Sequence, residues 1–309
     1  MPRLAIQIIL YKSSPHLAPL LDSLKAQTYR DFEVFFLDNS EDSIESEHTR
    51  ALVATYDTHA TFKVTRSNVG FAGGHVQMYE MHSIPFVMLL NDDAKLGPDY
   101  LKCAMERIES DEKIASVTGL VYRMDDHRTV DTSGLEYRCM AHIVDRQHAP
   151  ESAGKVFGVS GAVGLYRCSA IEKAGGLFDP TWFMYKEDVD LAIRLRRAGF
   201  VAWYEPCAIA WHKRGIKKGD KMRKRPALLR EHAYRNQHHI YTLHAAASLG
   251  FKDFFCSLLF ELARTFVMII TSPIVWFRAV ISLAQSFPRF WRRRSELEKL
   301  GLPHRRMLV

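Results

Sequence analysis

The sequence predicts an α/β protein: a mostly parallel sheet flanked by helices, followed by an α-helical region that associates with membranes. Three observations predict it. Over residues 4–90, short apolar runs alternate with stretches of helical period, the pattern of parallel strands joined by crossover helices. Polar, oxygen-bearing residues follow two of those runs, at Asp38-Asn39-Ser40 and Asn91-Asp92-Asp93, where open parallel sheets gather their ligands. Charge is also split. Residues 1–210 hold 22 Lys+Arg and 29 Asp+Glu, a balance of −7, whereas residues 211–309 hold 20 and 6, a balance of +14.

Taken in order, Leu4–Leu10 is a short apolar run, and Leu17, Leu20, Leu21 and Leu24 give His16–Gln27 helical periodicity. Phe32–Leu37 is a second buried strand, Ile44–Tyr56 a helix, and Thr61–Thr65 a third strand. A Gly-rich turn at 70–74 opens a helix running to about Ser83. Its spacing is G-x-x-G-G, so a nicotinamide site is poorly supported; the glycines permit either close backbone approach to a ligand or a tight strand-to-helix turn. Phe86–Leu90 is a fourth strand with apolar residues on both faces. The Asn91-Asp92-Asp93 triplet beyond it suits a hard divalent cation, Mg²⁺ or Mn²⁺, or else a simple turn. Residues 115–170 are strand-rich and irregular. Glu187-Asp188-Val189-Asp190 opens a helix that Gly199 stops. Carboxylates in a first turn also serve the helix dipole, and Asp190 with Arg194 reads as a structural pair. Val201–Tyr204 and Ala208–Trp211 are strand-like, His212 follows, and the basic stretch Lys213–Arg225 reads as a mobile linker.

Residues 226–249 predict a polar helix rich in His. Phe254–Phe287 is strongly apolar but interrupted by Glu261, Arg264, Pro273 and Arg278, and its longest uncharged run, Thr265–Phe277, is short for a spanning helix of about 20 residues. Ser257, Glu261, Arg264 and Met268 follow helical spacing and leave a wide apolar face. That predicts a helix lying in a membrane interface, with Arg289, Arg292, Arg293 and Arg294 attracted to anionic lipid. The plain alternative is a helical subdomain with a solvated basic tail. Five scattered cysteines show no metal-ligand spacing and read as reduced thiols. No signal peptide is expected ahead of the strand at Leu4. No nucleic-acid recognition motif is present, so no nucleic acid is expected as partner; a homo-oligomer stays open.

A set of residues in this order resembles the family 2 glycosyltransferases, inverting enzymes with the GT-A fold: Tyr11; Asp38-Asn39-Ser40; Asn68-x-Gly70-Phe71-Ala72-Gly73-Gly74; Asn91-Asp92-Asp93; Ser160-Gly161-Ala162; Gly176-x-Phe178-Asp179; Glu187-Asp188-Val189-Asp190-Leu191-x-x-Arg194; and Trp211-His212. The resemblance covers residues 4–240 and is nearest to bacterial rhamnosyl- and galactofuranosyltransferases of cell-surface polysaccharide assembly. Lys12, Asp92 and His75 depart from the family's Asn, Pro and Asn. The resemblance implies a nucleotide-sugar donor (a dTDP- or UDP-sugar) bound by Tyr11, Asp38, Asn68, Gly70, Phe71, Gly73, Asn91, Asp92 and Gly161. It implies a Mn²⁺ or Mg²⁺ held by Asp93 with His212, and Asp188 as general base with Glu187 beside it. It also implies a lipid-linked or glycan acceptor, and a cytoplasmic enzyme peripherally attached to the inner face of the cell membrane. The division expected is a catalytic GT-A domain over 1–225 and a helical, basic, membrane-associating region over 226–309.

The chemistry agrees. Glycosyl transfer needs a cation to neutralise the departing diphosphate and a carboxylate to take the acceptor's proton. Two other classes compete: a sugar-nucleotide nucleotidyltransferase and a non-catalytic nucleotide-sugar-binding membrane scaffold. The first would carry a Gly-rich basic phosphate loop after the first strand, which residues 11–16 (YKSSPH) lack. The second has no need of the intact Asn91–Asp93 and Glu187–Asp188 clusters.

Overall fold

The computed structural model describes residues 2–56, 60–139, 142–213, 225–244 and 251–301. The N-terminal half winds as the periodicity predicts. Strands β1 (Leu4–Leu10), β2 (Phe32–Asp38), β3 (Thr61–Val64) and β4 (Phe86–Asn91) pair in parallel in the order β3-β2-β1-β4. Helices α1 (Leu17–Lys25), α2 (Ser43–Tyr56) and α3 (Gly70–Tyr79) connect them. Successive side chains of a strand point to opposite faces, and β1 supplies both cores. Leu4, Ile6, Ile8 and Leu10 pack with α1, while Ala5 faces the side covered by α3.

The second half of the sheet is mixed. After β5 (Ala94–Leu96) and α4 (Tyr100–Glu109) come β6 (Ile114–Arg123), β7 (Val130–Thr132), the hairpin β8 (Leu135–Cys139) and β9 (His142–Asp145), β10 (Gly154–Val156) and β11 (Val163–Arg167). Then follow α5 (Cys168–Lys173), α6 (Glu187–Arg197) and β12 (Val201–His212). β11 runs antiparallel between β4 and β6, and β12 is parallel to β6. So the parallel expectation holds for the first four strands and for β6–β12, and the inserted β11 reverses direction. A parallel insertion would need a crossover helix, and the described residues between 124 and 162 form none. The two strand-like pieces expected at 201–211 are one strand, interrupted by an irregularity between Tyr204 and Ile209.

Helix α6 is anchored by the expected pair. Arg194 Nε lies 2.8 Å from Asp190 Oδ2 with both side chains buried. The other Arg194 nitrogens donate to the carbonyls of Ala174, Gly176 and Leu177. His244 Nε2 adds a 2.8 Å contact to Asp190 Oδ1. Burial alone would raise the Asp190 carboxyl, but Arg194 and His244 outweigh it and hold it below the ordinary range.

The C-terminal region is α7 (Ala227–His244), α8 (Phe251–Thr271) and α9 (Pro273–Lys299). Ile240 and Leu243 of α7 and Phe290 and Leu297 of α9 belong to the same buried core as α3 and α6. The basic stretch 214–224 and residues 245–249 of the expected helix lie outside the described residues. Pro273 starts a new helix, so the apolar run is two helices. α8 is turned inside out. Ser257 is 6% exposed, Glu261 accepts from Tyr241 Oη at 3.0 Å, and Thr265 Oγ1 meets Tyr234 Oη at 2.8 Å. By contrast Leu259, Phe266, Ile270 and, on α9, Ile274 are 63%, 65%, 63% and 75% exposed. Glu261 and Arg264, which interrupt the apolar run, therefore face protein, whereas Arg278 is exposed and meets Glu231 of α7 at 3.2 Å. By length and composition α8, 21 residues long, is apolar enough to cross a membrane.

Candidate active site

The strand-end triplet is brought against His212 by the short pairing of β5 with β12, which sets Ala94 opposite His212. His212 Nε2 lies 3.1 Å from Asp93 Oδ1 and 3.2 Å from Asn91 Nδ2. Its other ring nitrogen, Nδ1, lies 2.9 Å from Asp131 Oδ2. Burial would depress the His212 pKa, but Asp131 and Asp93 outweigh it and hold it up at about 9. Asp93 Oδ1 is buried beside the His212 imidazole. A carboxylate on Nδ1 fixes an imidazole so that Nε2 can ligate, the usual setting of a metal-bound His. Asp93, His212 and the Asn91 amide thus suit a divalent cation that completes its shell with substrate oxygens and water. Among the described residues, no three His, Cys, Asp or Glu side chains already converge on one point.

The end of β1 lies beside this corner. Asp92 Oδ2 accepts from the Ser13 hydroxyl and, at 3.4 Å, from the Tyr11 N–H. His16 Nε2 is 3.6 Å away, and the Asp92 contact raises its pKa. Lys12 takes φ 56°, a left-handed conformation that Asn adopts more readily. Asp38 is fully buried, its oxygens accepting from Ser40 N–H at 2.9 Å and from the Ser46 hydroxyl. In this arrangement it orders the turn after β2. Neighbouring Asn39 ties that turn to the Gly-rich segment, accepting from Val69 N–H at 3.2 Å and donating to Gly70 carbonyl at 3.2 Å. Asn68 accepts from Gly70 N–H at 2.8 Å.

Gly70 stands at φ 72°, and a Cβ there would lie 2.5 Å from the carbonyl oxygen of Phe183. The glycine is needed because the loop leading into α6 presses on the Gly-rich turn, where Ala72 N–H donates to the same carbonyl at 3.0 Å. A Cβ on Gly73 would touch Val69 at 3.2 Å. His75, buried in α3, meets Gln7 at 3.1 Å and the Phe71 ring edge-on at 4.4 Å; burial lowers it to about 3. It is a neutral core histidine.

The second carboxylate cluster reaches the first through three residues. Asn91 N–H donates to Ala162 carbonyl at 2.9 Å. Gly161 N–H, one residue back, donates to Asp188 Oδ2 at 3.3 Å. Asp188 borders an open cavity of about 580 Å³ lined also by Glu136, Arg138, His142, Asp145, His148 and Tyr185. Glu187 is buried at 6% exposure, and its Oε2 has no hydrogen-bond partner. Burial lifts both carboxyls above the ordinary range; the next cause is the Asp188 charge for Glu187 and the Asp145 charge for Asp188.

The structure thus gathers Tyr11, Asn91, Asp92, Asp93 and His212 at one corner, and Gly161 and Asp188 at the adjoining one, with Phe71 3.1 Å from where a Gly161 Cβ would lie. Asp38 and Asn68 order the turns behind them. Sequence reading missed Asp131, Ser13 and His16. Asp131 acts on a histidine 81 residues away and carries no local signal. The YKSSPH segment was informative only for the phosphate loop it lacks.

Known proteins resemble this chain in sequence and in fold. The sequence matches the family described as Glycosyltransferase like family 2 over residues 2–231. The N-acetylglucosaminyl-diphospho-decaprenol L-rhamnosyltransferase of Mycobacterium tuberculosis is 26% identical over 70% of this chain and 78% of its own length. The probable glucomannan 4-beta-mannosyltransferase 10 of Arabidopsis thaliana is 28% identical over 38% of this chain, a match spanning 20% of the plant protein. Among solved structures, the mannosyltransferase PcManGT of Pyrobaculum calidifontis, in complex with GDP-Man and Mn²⁺, superposes with a TM-score of 0.57 at 16% identity, over 97% of this chain and 86% of that one. A fragment of S. aureus TarS in complex with UDP-GlcNAc gives 0.55 at 17% identity, over 96% and 84%. The chain therefore belongs to the family 2-like glycosyltransferases and has their GT-A fold.

Proposed function

We propose that this protein transfers a sugar, with inversion, from a dTDP- or UDP-sugar to a hydroxyl of a lipid-linked or polysaccharide acceptor during cell-surface glycan assembly. Residues 1–225 bind the donor and carry the base; residues 226–309 attach the enzyme to the cytoplasmic face of the membrane. The observation that supports this reading is the Asn91–Ala162 and Gly161–Asp188 hydrogen-bond pair, which brings the Asn91–Asp93 corner and Asp188 side by side.

In this reading Asp93 and His212 hold a Mn²⁺ or Mg²⁺, with Asp131 keeping the imidazole in register. A divalent cation there supplies Lewis-acid neutralisation of the leaving diphosphate. Tyr11 and Asp92 flank the ribose, and Asp38 and Asn68 shape the turns that receive the base. Gly70, Phe71, Gly73 and Gly161 line the donor site, the glycines keeping the turn and the Phe71 contact close-packed. The acceptor occupies the cavity beside Asp188, whose carboxylates, imidazoles and Arg138 match a hydroxyl-rich ligand. As the acceptor oxygen attacks the anomeric carbon, Asp188 takes its proton, and the bond to the donor phosphate breaks with the electron pair leaving on the nucleoside diphosphate. Attack from the face opposite the leaving group inverts the centre.

The outward apolar face of α8 and α9 supports membrane attachment, because contiguous exposed apolar surface of this kind marks a membrane or partner contact. The basic cluster contributes less than its count implies. Arg289, Arg293 and Arg294 lie 3.0, 3.3 and 3.0 Å from Asp179, Glu296 and Glu298.

Three outcomes are expected. Asp93→Ala removes Mn²⁺-dependent binding of the nucleotide sugar in calorimetry; unchanged affinity would exclude the cation corner. Asp188→Asn lowers kcat by roughly 10²–10⁴ with donor affinity retained, whereas retained turnover, with loss in Glu187→Gln instead, moves the base by one residue. The protein floats with anionic vesicles, salt weakens the binding, and Phe266→Glu with Ile270→Glu abolishes it. Indifference to vesicles points to a packed subdomain, and resistance to carbonate extraction to a true span.

A further inference from the structure

The segment that delivers Asp188 runs a course its own residues disfavour. Phe183, Tyr185 and Lys186 stand at φ 61°, 73° and 73°, the left-handed region that side chains with a Cβ avoid. Such conformations persist only where surrounding structure over-determines them. Here the surrounding structure is α7. Asn236, fully buried, directs its Nδ2 at the carbonyls of Trp182, Met184 and Tyr185 at 2.9, 2.8 and 2.8 Å. Arg235 braces it. Arg235 Nε donates to Asn236 Oδ1 at 2.9 Å, and Nη2 donates to the carbonyls of Thr181 and Trp182 at 3.1 Å each. Arg235 Nη1 reaches Ser282 of α9 at 3.3 Å. The His232 ring stacks on Phe183 at 4.9 Å.

We infer that Asn236, braced by Arg235, is a positioning residue for sugar transfer: it gathers the carbonyls of Trp182, Met184 and Tyr185 and so holds the left-handed loop that aims Asp188 into the acceptor cavity. The inference rests on reading Asp188 as the base. The side-chain donors come from α7; within the loop itself the Trp182 carbonyl also accepts from the Met184 N–H at 2.7 Å. An acceptor side chain of the same shape at 236 would face three carbonyls with no proton to offer, so the loop would relax and carry Asp188 with it.

The test is Asn236→Asp in the full-length protein, beside Asp188→Asn, measuring kcat for transfer, donor Kd by calorimetry, and the folded fraction by circular dichroism. A displacement on the order of 1 Å at a reacting group lowers rate by about 10²-fold, so Asn236→Asp should lose about that much kcat per folded molecule while donor Kd stays within roughly threefold. A folded Asn236→Asp enzyme with wild-type kcat, beside an inactive Asp188→Asn, overturns the clamp and leaves the base reading standing. An active Asp188→Asn enzyme overturns the base reading and the clamp with it. If Asn236→Asp does not fold, Arg235→Lys decides by the same criteria. It keeps the charge but removes the contacts to Thr181 and Trp182, and unchanged kcat there overturns the clamp.

Discussion

The candidate site depends on one pairing: β11 inserted antiparallel beside β4. β4 ends in the Asn91–Asp93 corner, and antiparallel register puts the start of β11 at that same end. The peptide groups of Gly161 and Ala162 are therefore beside Asn91, and Gly161 N–H is left to hold Asp188. A parallel β11 would put its far end there. One strand direction thus brings a carboxylate from a helix 95 residues downstream of Asp93 to the corner that would hold the donor phosphates.

A second constraint comes from the C-terminal helices. α8 turns its polar stripe inward, onto Tyr234 and Tyr241 of α7, and its apolar face outward. Water disfavours that arrangement and an acyl boundary favours it. α7 is held on its other side by the loop before α6, through Arg235 and Asn236. The helix that contacts the loop before α6 is thus the one on which the exposed apolar pair is mounted.

Much of this was legible in the sequence for physical reasons. β1, β2 and β4 are buried on both faces and read as continuous apolar runs, and α1 carries its leucines at helical spacing. Asn91–Asp93 and Glu187–Asp188 were visible because both sit where an element begins or ends. The direction of β11 was not, since residues 115–170 carry no period that encodes pairing. Asp131 and Asn236 were hidden because their partners lie 81 and 51–54 residues away. Glu261 and Arg264 were seen as interruptions of an apolar run, but only tertiary packing could show that they face protein.

The central claim is that the cation corner and Asp188 serve opposite faces of one anomeric carbon in a single displacement. The anomeric configuration of the first-formed product, followed by proton NMR from a nucleotide sugar of known configuration, tests it most directly. Inversion with no covalent sugar–enzyme adduct is the expected result. Retention of configuration would contradict it.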